Sequence, residues 1–343
     1  MSLSDYTILD FSKLLPGPFC TKLLAEMGMR VIRVELPHWP DRMRTVSPDI
    51  DGHGFAFWMV NRGKESICLN YRKPAGKKAL LKMIEKVDVV VEGFRPGTMA
   101  KMGLDAKTLL KLNPKLVYLS LSGYGQTGPK ARKAAHDVNF LAESGFLGAR
   151  DSNNLVSFPS TQVGDLAGAT TAAARVLGAL LDGGGVHLDV AMDRVMRDWM
   201  VLPCGWELAA GTPYKPGTEW FSGSGPFYRL YKTKGGRYLA VGALEPQFHL
   251  NLLSELGRDD LVGKPRKTVE RALERLFASK TLAYWSKKLA DKDVCVSPVK
   301  TLAEAFKDWK PNGRAPRIGQ HNKSAMKSLG LSAAEIASAT NSA

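Results

Sequence analysis

YTILDFSKLLPGPFCTKLLAEMGMRVIRVEL, Tyr6 to Leu36, decides the fold. Tyr6–Phe11 is a short apolar run that reads as a strand. Pro16–Cys20 reads as a turn leading into a helix over Thr21–Met27, which Gly28 ends. Met29–Leu36 is a second apolar strand. A strand, a helix and a strand this close together form a βαβ unit, which requires a parallel sheet and a right-handed crossover. The alternation continues outward. Asp41–Gly54 reads as polar and irregular, and SICLNY (Ser66–Tyr71) as a strand. A helix over Ala75–Lys86 follows, then the strand DVVVEGF (Asp88–Phe94), the helix DAKTLLKLN (Asp105–Asn113) and a central strand ending at Leu119. The pattern predicts a doubly wound α/β domain.

Val163-Gly164-Asp165 opens a helix running to Leu181, rich in Gly and Ala and suited to close packing. A strand, VHLDVAM (Val186–Met192), and a helix, DRVMRDWMVLP (Asp193–Pro203), complete the first domain. Gly205–Gly225 reads as irregular and marks the boundary. Beyond it, FYRLYKTKGGRYLAV (Phe227–Val241) reads as a hairpin turning at Lys234-Gly235-Gly236. A helix after Pro246, two amphipathic helices (Thr268–Ala278, Thr281–Leu289) and an extended piece at Cys295–Val299 make a small α+β domain. The tail carries a helix whose start is capped by Ser332. The expected division is a large domain, 1–205, rejoined by the tail 311–343, and a small domain, 206–310.

Composition narrows the function classes. At 343 residues, 44% hydrophobic and 24% charged, this is an ordinary globular chain. No apolar run reaches the length of a membrane span. The N-terminus lacks a basic region followed by an apolar core, and Asn341-Ser342-Ala343 is not a peroxisomal address. Four scattered cysteines form no CxxC pair, which fits a reducing cytoplasm without disulfides or zinc. The net charge of +15 suits nucleic acid, a polyanionic small molecule or a solvated surface. The basic residues are dispersed and no nucleic-acid motif accompanies them, so no nucleic-acid partner is expected.

The chemistry gathers around Leu119–Gly145, LSLSGYGQTGPKARKAAHDVNFLAESG. GYGQTG matches the dinucleotide fingerprint G-x-G-x-x-G, but Pro129 and a basic loop, Lys130–Lys133, follow it instead of an apolar helix. His136 and Asp137 stand where the next helix begins. Ligands of open α/β sheets bind beyond the carboxyl ends of strands, so His136 arrives where a site is expected. The alternative is a histidine that only flanks a helix start capped by Asp137. Asp165 and Glu245 also lie at expected helix starts. Asp165 is a good N-cap type, and Pro246 fits the first helical position after an extended Glu245. Helix N-termini stabilise developing negative charge, such as that of an enolate. Spacing does not assemble the three groups into one site.

A resemblance assembles them. PGPFCTKLLAEMG with RVIRVE, NRGKESICLN, EGFRPG and SGYGQTGP resembles the class III CoA-transferase superfamily, from about residue 5 to 310 and again in the tail. AAHDVNFLAESG, VGDLAG and VGALEPQFH resemble its alpha-methylacyl-CoA racemase branch. The resemblance implies a Rossmann-like large domain, a small domain, and an interlocked homodimer in which Glu245 reaches the active site of the partner subunit. It implies His136, Asp165 and Glu245 as catalytic residues, with Arg62, Lys64, Arg95 and Asp137 near the CoA. An ordinary solvated face is the alternative for these basic residues, above all Lys64. Leu36 stands where the racemases often carry an Arg, and Trp309–Gly313 shortens the segment before the tail.

The implied substrate is an acyl-CoA thioester, with no cofactor beyond its CoA moiety and no metal. The expected reaction is inversion at the carbon beside the thioester by 1,1-proton transfer through an enolate. His136 and Asp165 would serve as the two bases and Glu245 would orient His136. Free Asp and His, at about 3.9 and 6.5, would both be deprotonated above neutrality, so the environment must shift one of them. The rival is CoA transfer with Asp165 as the nucleophile.

Overall fold

A computed structural model describes residues 2–149, 158–217 and 219–341; Thr218, within the stretch expected to be irregular, and the terminal Ser342 and Ala343 lie outside them. The chain forms two compact units, one from 1–146, 159–202 and 311–343, the other from 147–158 and 203–310.

In the first unit six strands form one parallel sheet: β1 (Thr7–Asp10), β2 (Arg30–Glu35), β3 (Glu65–Cys68), β4 (Val89–Glu92), β5 (Val117–Ser122) and β6 (Val186–Ala191). Their spatial order is β3-β2-β1-β4-β5-β6. This is the Rossmann arrangement, and the order reverses between β1 and β4, where open α/β sheets bind ligands. β4 and β5 are buried along their whole length, which is why they read as continuous apolar runs instead of alternating ones.

The helices covering the sheet are α1 (Pro16–Glu26), α2 (Phe55–Asn61), α3 (Pro74–Ile84), α4 (Ala106–Leu112), α5 (Asp137–Glu143), α6 (Val163–Leu181) and α7 (Met192–Trp199). One core layer joins Leu9, Ile32, Ile67 and Tyr118 to Leu80 and Met83 of α3. α6 packs on α1 and α7. A Cβ at Gly168 would come within 2.6 Å of Met192, so the glycine permits the close approach of α7.

The main segment of the second unit, 203–310, begins within α8 (Val201–Ala210). Its three-stranded sheet runs β7 (Tyr228–Lys232), β8 (Tyr238–Gly242) and β9 (Val296–Pro298), antiparallel in the order β9-β8-β7. The hairpin turn places both Gly235 and Gly236 at positive φ. Helices α9 (Pro246–Glu255), α10 (Arg266–Ala278) and α11 (Leu282–Leu289) bury Leu252, Leu273, Phe277 and Trp285 against this sheet. The tail adds α12 (Asn322–Ser328) and α13 (Ala333–Asn341) to the first unit, where Met326 and Ile336 enter the core beside α3. Ser332 caps α13, accepting from the Glu335 N–H. Among the described residues no helix is long and apolar enough to cross a membrane.

Three expectations are corrected. Pro16–Cys20 is not a turn but the first part of α1, with Pro16 at a position whose N–H has no helical partner to lose. Asp41–Gly54 holds a 3-10 turn, Arg42–Thr45, and a short hairpin pairing Asp49–Ile50 with His53–Gly54. Gly205 is not in an irregular stretch but inside α8, where a single glycine costs only about 1 kcal/mol relative to alanine.

Candidate active site

A cleft of ≈ 480 Å³ opens beyond the carboxyl ends of β1, β4 and β5, at the point where the strand order reverses. Lys13 follows β1, Phe94 and Arg95 follow β4, and Tyr124 follows β5. His136 and Asp165 line the same cleft. The structure therefore brings together two side chains 29 residues apart in the sequence, at the place the topology reserves for a ligand.

The helix starts differ from expectation. His136, not Asp137, occupies the N-cap of α5, with its N–H donating to Asn139 Oδ1 at 2.9 Å. His136 itself is exposed. Asp137 is the first residue of α5 and is buried. Its carboxylate is turned to the neighbouring helix, where Oδ1 accepts from the Asp165 N–H at 3.0 Å and the Gly164 N–H also donates to it. Nor is Asp165 the N-cap of α6. Val163 and Gly164 extend the helix upstream, so Gln162 is the cap and Asp165 lies in the first turn. Burial, and then the Asp137 charge, push the Asp165 carboxyl up to about 7. Burial also raises Asp137, while its two backbone donors oppose that shift.

Glu245 lies in the second unit, at the N-cap of α9 with Pro246 at the first helical position. Its backbone is extended, φ −72° and ψ 146°, as a residue before proline should be.

The basic residues separate. Arg95 is exposed on the cleft wall. Arg62 ends α2 with its guanidinium 4.7 Å from the Trp58 ring centroid. Lys64 is not on a solvated face, because its side chain is fully buried. Its Nζ donates to Pro18 O (2.7 Å), Thr21 Oγ1 (2.7 Å) and Asn61 Oδ1 (3.0 Å), and lies 3.5 Å from Asp10. Arg33, also buried, pairs with Asp10 and Asp41. Burial pushes the Lys64 ammonium down to about 7 despite Asp10. Lys64 is thus part of a buried ionic cluster tying α1 and α2 to the sheet. Lys64→Ala should cost about 3 kcal/mol, as when one partner of a buried pair is removed, and should lower the urea midpoint. An unchanged midpoint would contradict that role.

The sequence reading missed an aromatic shelf at the cleft mouth. Trp39 is 40% exposed and stacks on Phe94, with centroids 5.9 Å apart. Lys13 Nζ lies 3.7 Å from the Trp39 centroid and donates to Trp39 O, and the Arg72 guanidinium lies 5.5 Å from the same ring. The available signal was a tryptophan between two prolines, PHWP, just beyond β2. Glu143 was missed too. It accepts from Tyr124 Oη (3.0 Å), Lys133 (2.7 Å) and Lys130, and so holds the basic loop against α5.

The model of CoA-transferase family III matches residues 3–333. The human alpha-methylacyl-CoA racemase is 33% identical over 319 residues, covering 89% of this chain and 79% of its own. The acetyl-CoA:oxalate CoA-transferase of Acetobacter aceti is 31% identical, covering 87% and 80%. Among solved structures, a CaiB/BaiF family protein from Brucella suis superposes with a TM-score of 0.81 at 23% identity, over 95% of this chain and 99% of that one.

Proposed function

The chain belongs to CoA-transferase family III, and from that premise we propose that it racemises 2-methylacyl-CoA thioesters. A thioester acidifies the adjacent carbon. One base removes its proton to give a planar enolate, and a conjugate acid returns a proton on the other face. We assign these roles to His136 and Asp165. In one direction neutral His136 takes the proton while protonated Asp165 donates. In the other, Asp165 takes it and the imidazolium donates. Both starting states hold one proton shared by the pair.

The observation that carries this reading is the environment of Asp165. A carboxyl pushed up to about 7 is still substantially protonated at neutral pH, so it can serve as acid or as base. CoA transfer, the second reading, would use the ionised form of the same carboxyl as its nucleophile. Transfer has support of its own in the similarity to the oxalate CoA-transferase.

The proposal extends to partners. Arg95 and Arg62 are assigned to the anionic CoA, and the exposed Trp39 shelf to its adenine, in place of the Arg that racemases often carry at the position of Leu36. Glu245 is assigned, from the partner subunit of a cytoplasmic homodimer, to hydrogen-bond His136 and fix its tautomer. No cofactor beyond the CoA moiety is invoked. Trp39→Ala should weaken CoA binding by about 1–3 kcal/mol, the usual worth of a stacked base, while Trp39→Phe should retain most of it. Calorimetry giving wild-type affinity for the alanine variant would remove Trp39 from the site.

The test of the activity is proton NMR in deuterium oxide with a panel of branched fatty, bile-acid and aryl-propionyl CoA thioesters. Wild-type protein should exchange the proton beside the carbonyl and racemise at least one of them. Transfer of CoA to a free carboxylate with no exchange on any thioester would overturn the racemase reading.

A further inference from the structure

We propose that Asp137 is a positioning residue: its carboxylate caps the helix that carries Asp165, and its charge keeps the proton on Asp165. This rests on the reading of Asp165 as one of the two bases. A carboxylate in the first turn of a helix ordinarily holds its charge easily, because exposed N–H groups and the helix dipole favour it. Asp165 departs from that rule, and the geometry shows why. The donors that would stabilise its ionised form are already taken. The Asp165 N–H goes to Asp137 Oδ1 at 3.0 Å, and the Gly164 N–H goes to the same side chain. The contact is tight, since a Cβ on Gly164 would lie 3.1 Å from Asp137 Oδ1. The Asp165 carboxyl itself accepts no hydrogen bond from a described residue, and its partial burial disfavours the charged form. Two carboxyls at one helix start share what one would hold alone. The one with two backbone donors stays ionised, and the other keeps the proton.

No other charge reverses that order. From α7, the apolar Met196 faces Gly164, where an added Cβ would lie 3.3 Å from its Cγ, and Asp193 pairs with Arg197 at 3.4 Å. On α1, Lys22 pairs with Glu26, and Lys133 on the cleft wall is tied to Glu143. Lys13, Arg95 and His136 also line the cleft, yet among the described residues the charge that shifts Asp165 is that of Asp137.

The test uses Asp137→Asn, which keeps an oxygen for the Asp165 N–H and removes the charge, beside Asp137→Ala, which removes both. Carboxyl-carbon NMR of aspartate-labelled protein reads Asp165 without substrate; the resonance is the one lost in Asp165→Asn. It should titrate near neutrality in wild type and about one pH unit lower in Asp137→Asn. The limb of the exchange pH profile set by Asp165 should move down with it. Activity at pH 7.5, in the direction that starts from protonated Asp165, should fall by roughly tenfold and recover on acidification. Asp137→Ala should add a lowered melting temperature, whereas Asp137→Asn should melt close to wild type. Titration and profile that superimpose on wild type in Asp137→Asn would overturn the role of Asp137. Absence of exchange in wild type would overturn the assignment of the bases and the proposal with it, whatever the titration shows.

Discussion

His136→Ala should abolish inversion of a 2-methylacyl-CoA yet leave some exchange of the proton on the face served by Asp165. Asp165→Asn should show the opposite bias. Each loses one general base or acid, which typically costs about a hundred- to ten-thousand-fold. The residual activities should differ in stereochemistry, because each surviving base reaches one face of the enolate. The pH dependence carries a sign. With Asp165 pushed up to about 7, the direction that begins with protonated Asp165 should lose rate as pH rises through neutrality. The direction that begins with ionised Asp165 should lose rate as pH falls through it. Under CoA transfer the pattern differs in kind: Asp165→Asn ends all turnover, His136→Ala matters little, and no solvent deuterium enters the substrate. Deuterium content and configuration at the carbon beside the thioester, for wild type and both variants, separate the outcomes.

Asp165 also has a thermodynamic consequence. Its folded carboxyl binds a proton more tightly than an unfolded one, from the ordinary 3.8 to about 7. The fold therefore binds more protons than the unfolded chain between those values, and stability falls as pH rises across that window. The penalty in place above pH 7 is on the order of 4 kcal/mol, and Asp165→Asn should lift it. The variant should gain stability over wild type in urea at pH 8 and gain little at pH 4.

The alternation of strands and helices was legible because this chain punctuates it locally. Gly28 ends α1, β-branched runs form β2 and β4, an apolar run opens β5, and a two-glycine turn joins β7 to β8. What was not legible lacked local signals. α2 is FAFWMVN, a run of large apolar residues with a strand-like composition and a glycine at its N-cap. α8 carries Pro203 and Gly205, which read as breakers, and exposes most of its apolar residues, so no buried stripe announces it.

The site was legible as residue types and not as relationships. His136 and Asp165 stood out as ionisable groups near helix starts, and both line the cleft. Their capping roles were misread because a cap was sought within each segment, whereas Asp137 caps α6 across 28 residues of sequence. Lys64 in NRGK has the sequence of a solvated turn. It is buried because Asp10, Thr21 and Asn61 converge on it, and two of those three lie more than 40 residues away. Trp39 was passed over because an isolated aromatic in a loop has no period, and its partner Phe94 belongs to a different strand end.

Co-expressing His136→Ala with Glu245→Ala should restore activity that neither variant shows alone. His136 belongs to the first unit and Glu245 to the second. If each site takes its Glu245 from the partner subunit, a mixed dimer holds one site lacking both residues and one site with both intact. Random pairing makes half of the dimers mixed, and half of their sites whole, so recovery should approach about a quarter of wild-type turnover. If both residues of a site came from one chain, every site in every dimer would lack one residue, and mixing would restore nothing. Tags on the two variants allow the mixed dimer to be purified, where recovery should rise to about half. A purified mixed dimer as inactive as its parents would refute the shared site. Full turnover by a stable monomer would refute it independently, and sedimentation at assay concentration reads that outcome directly.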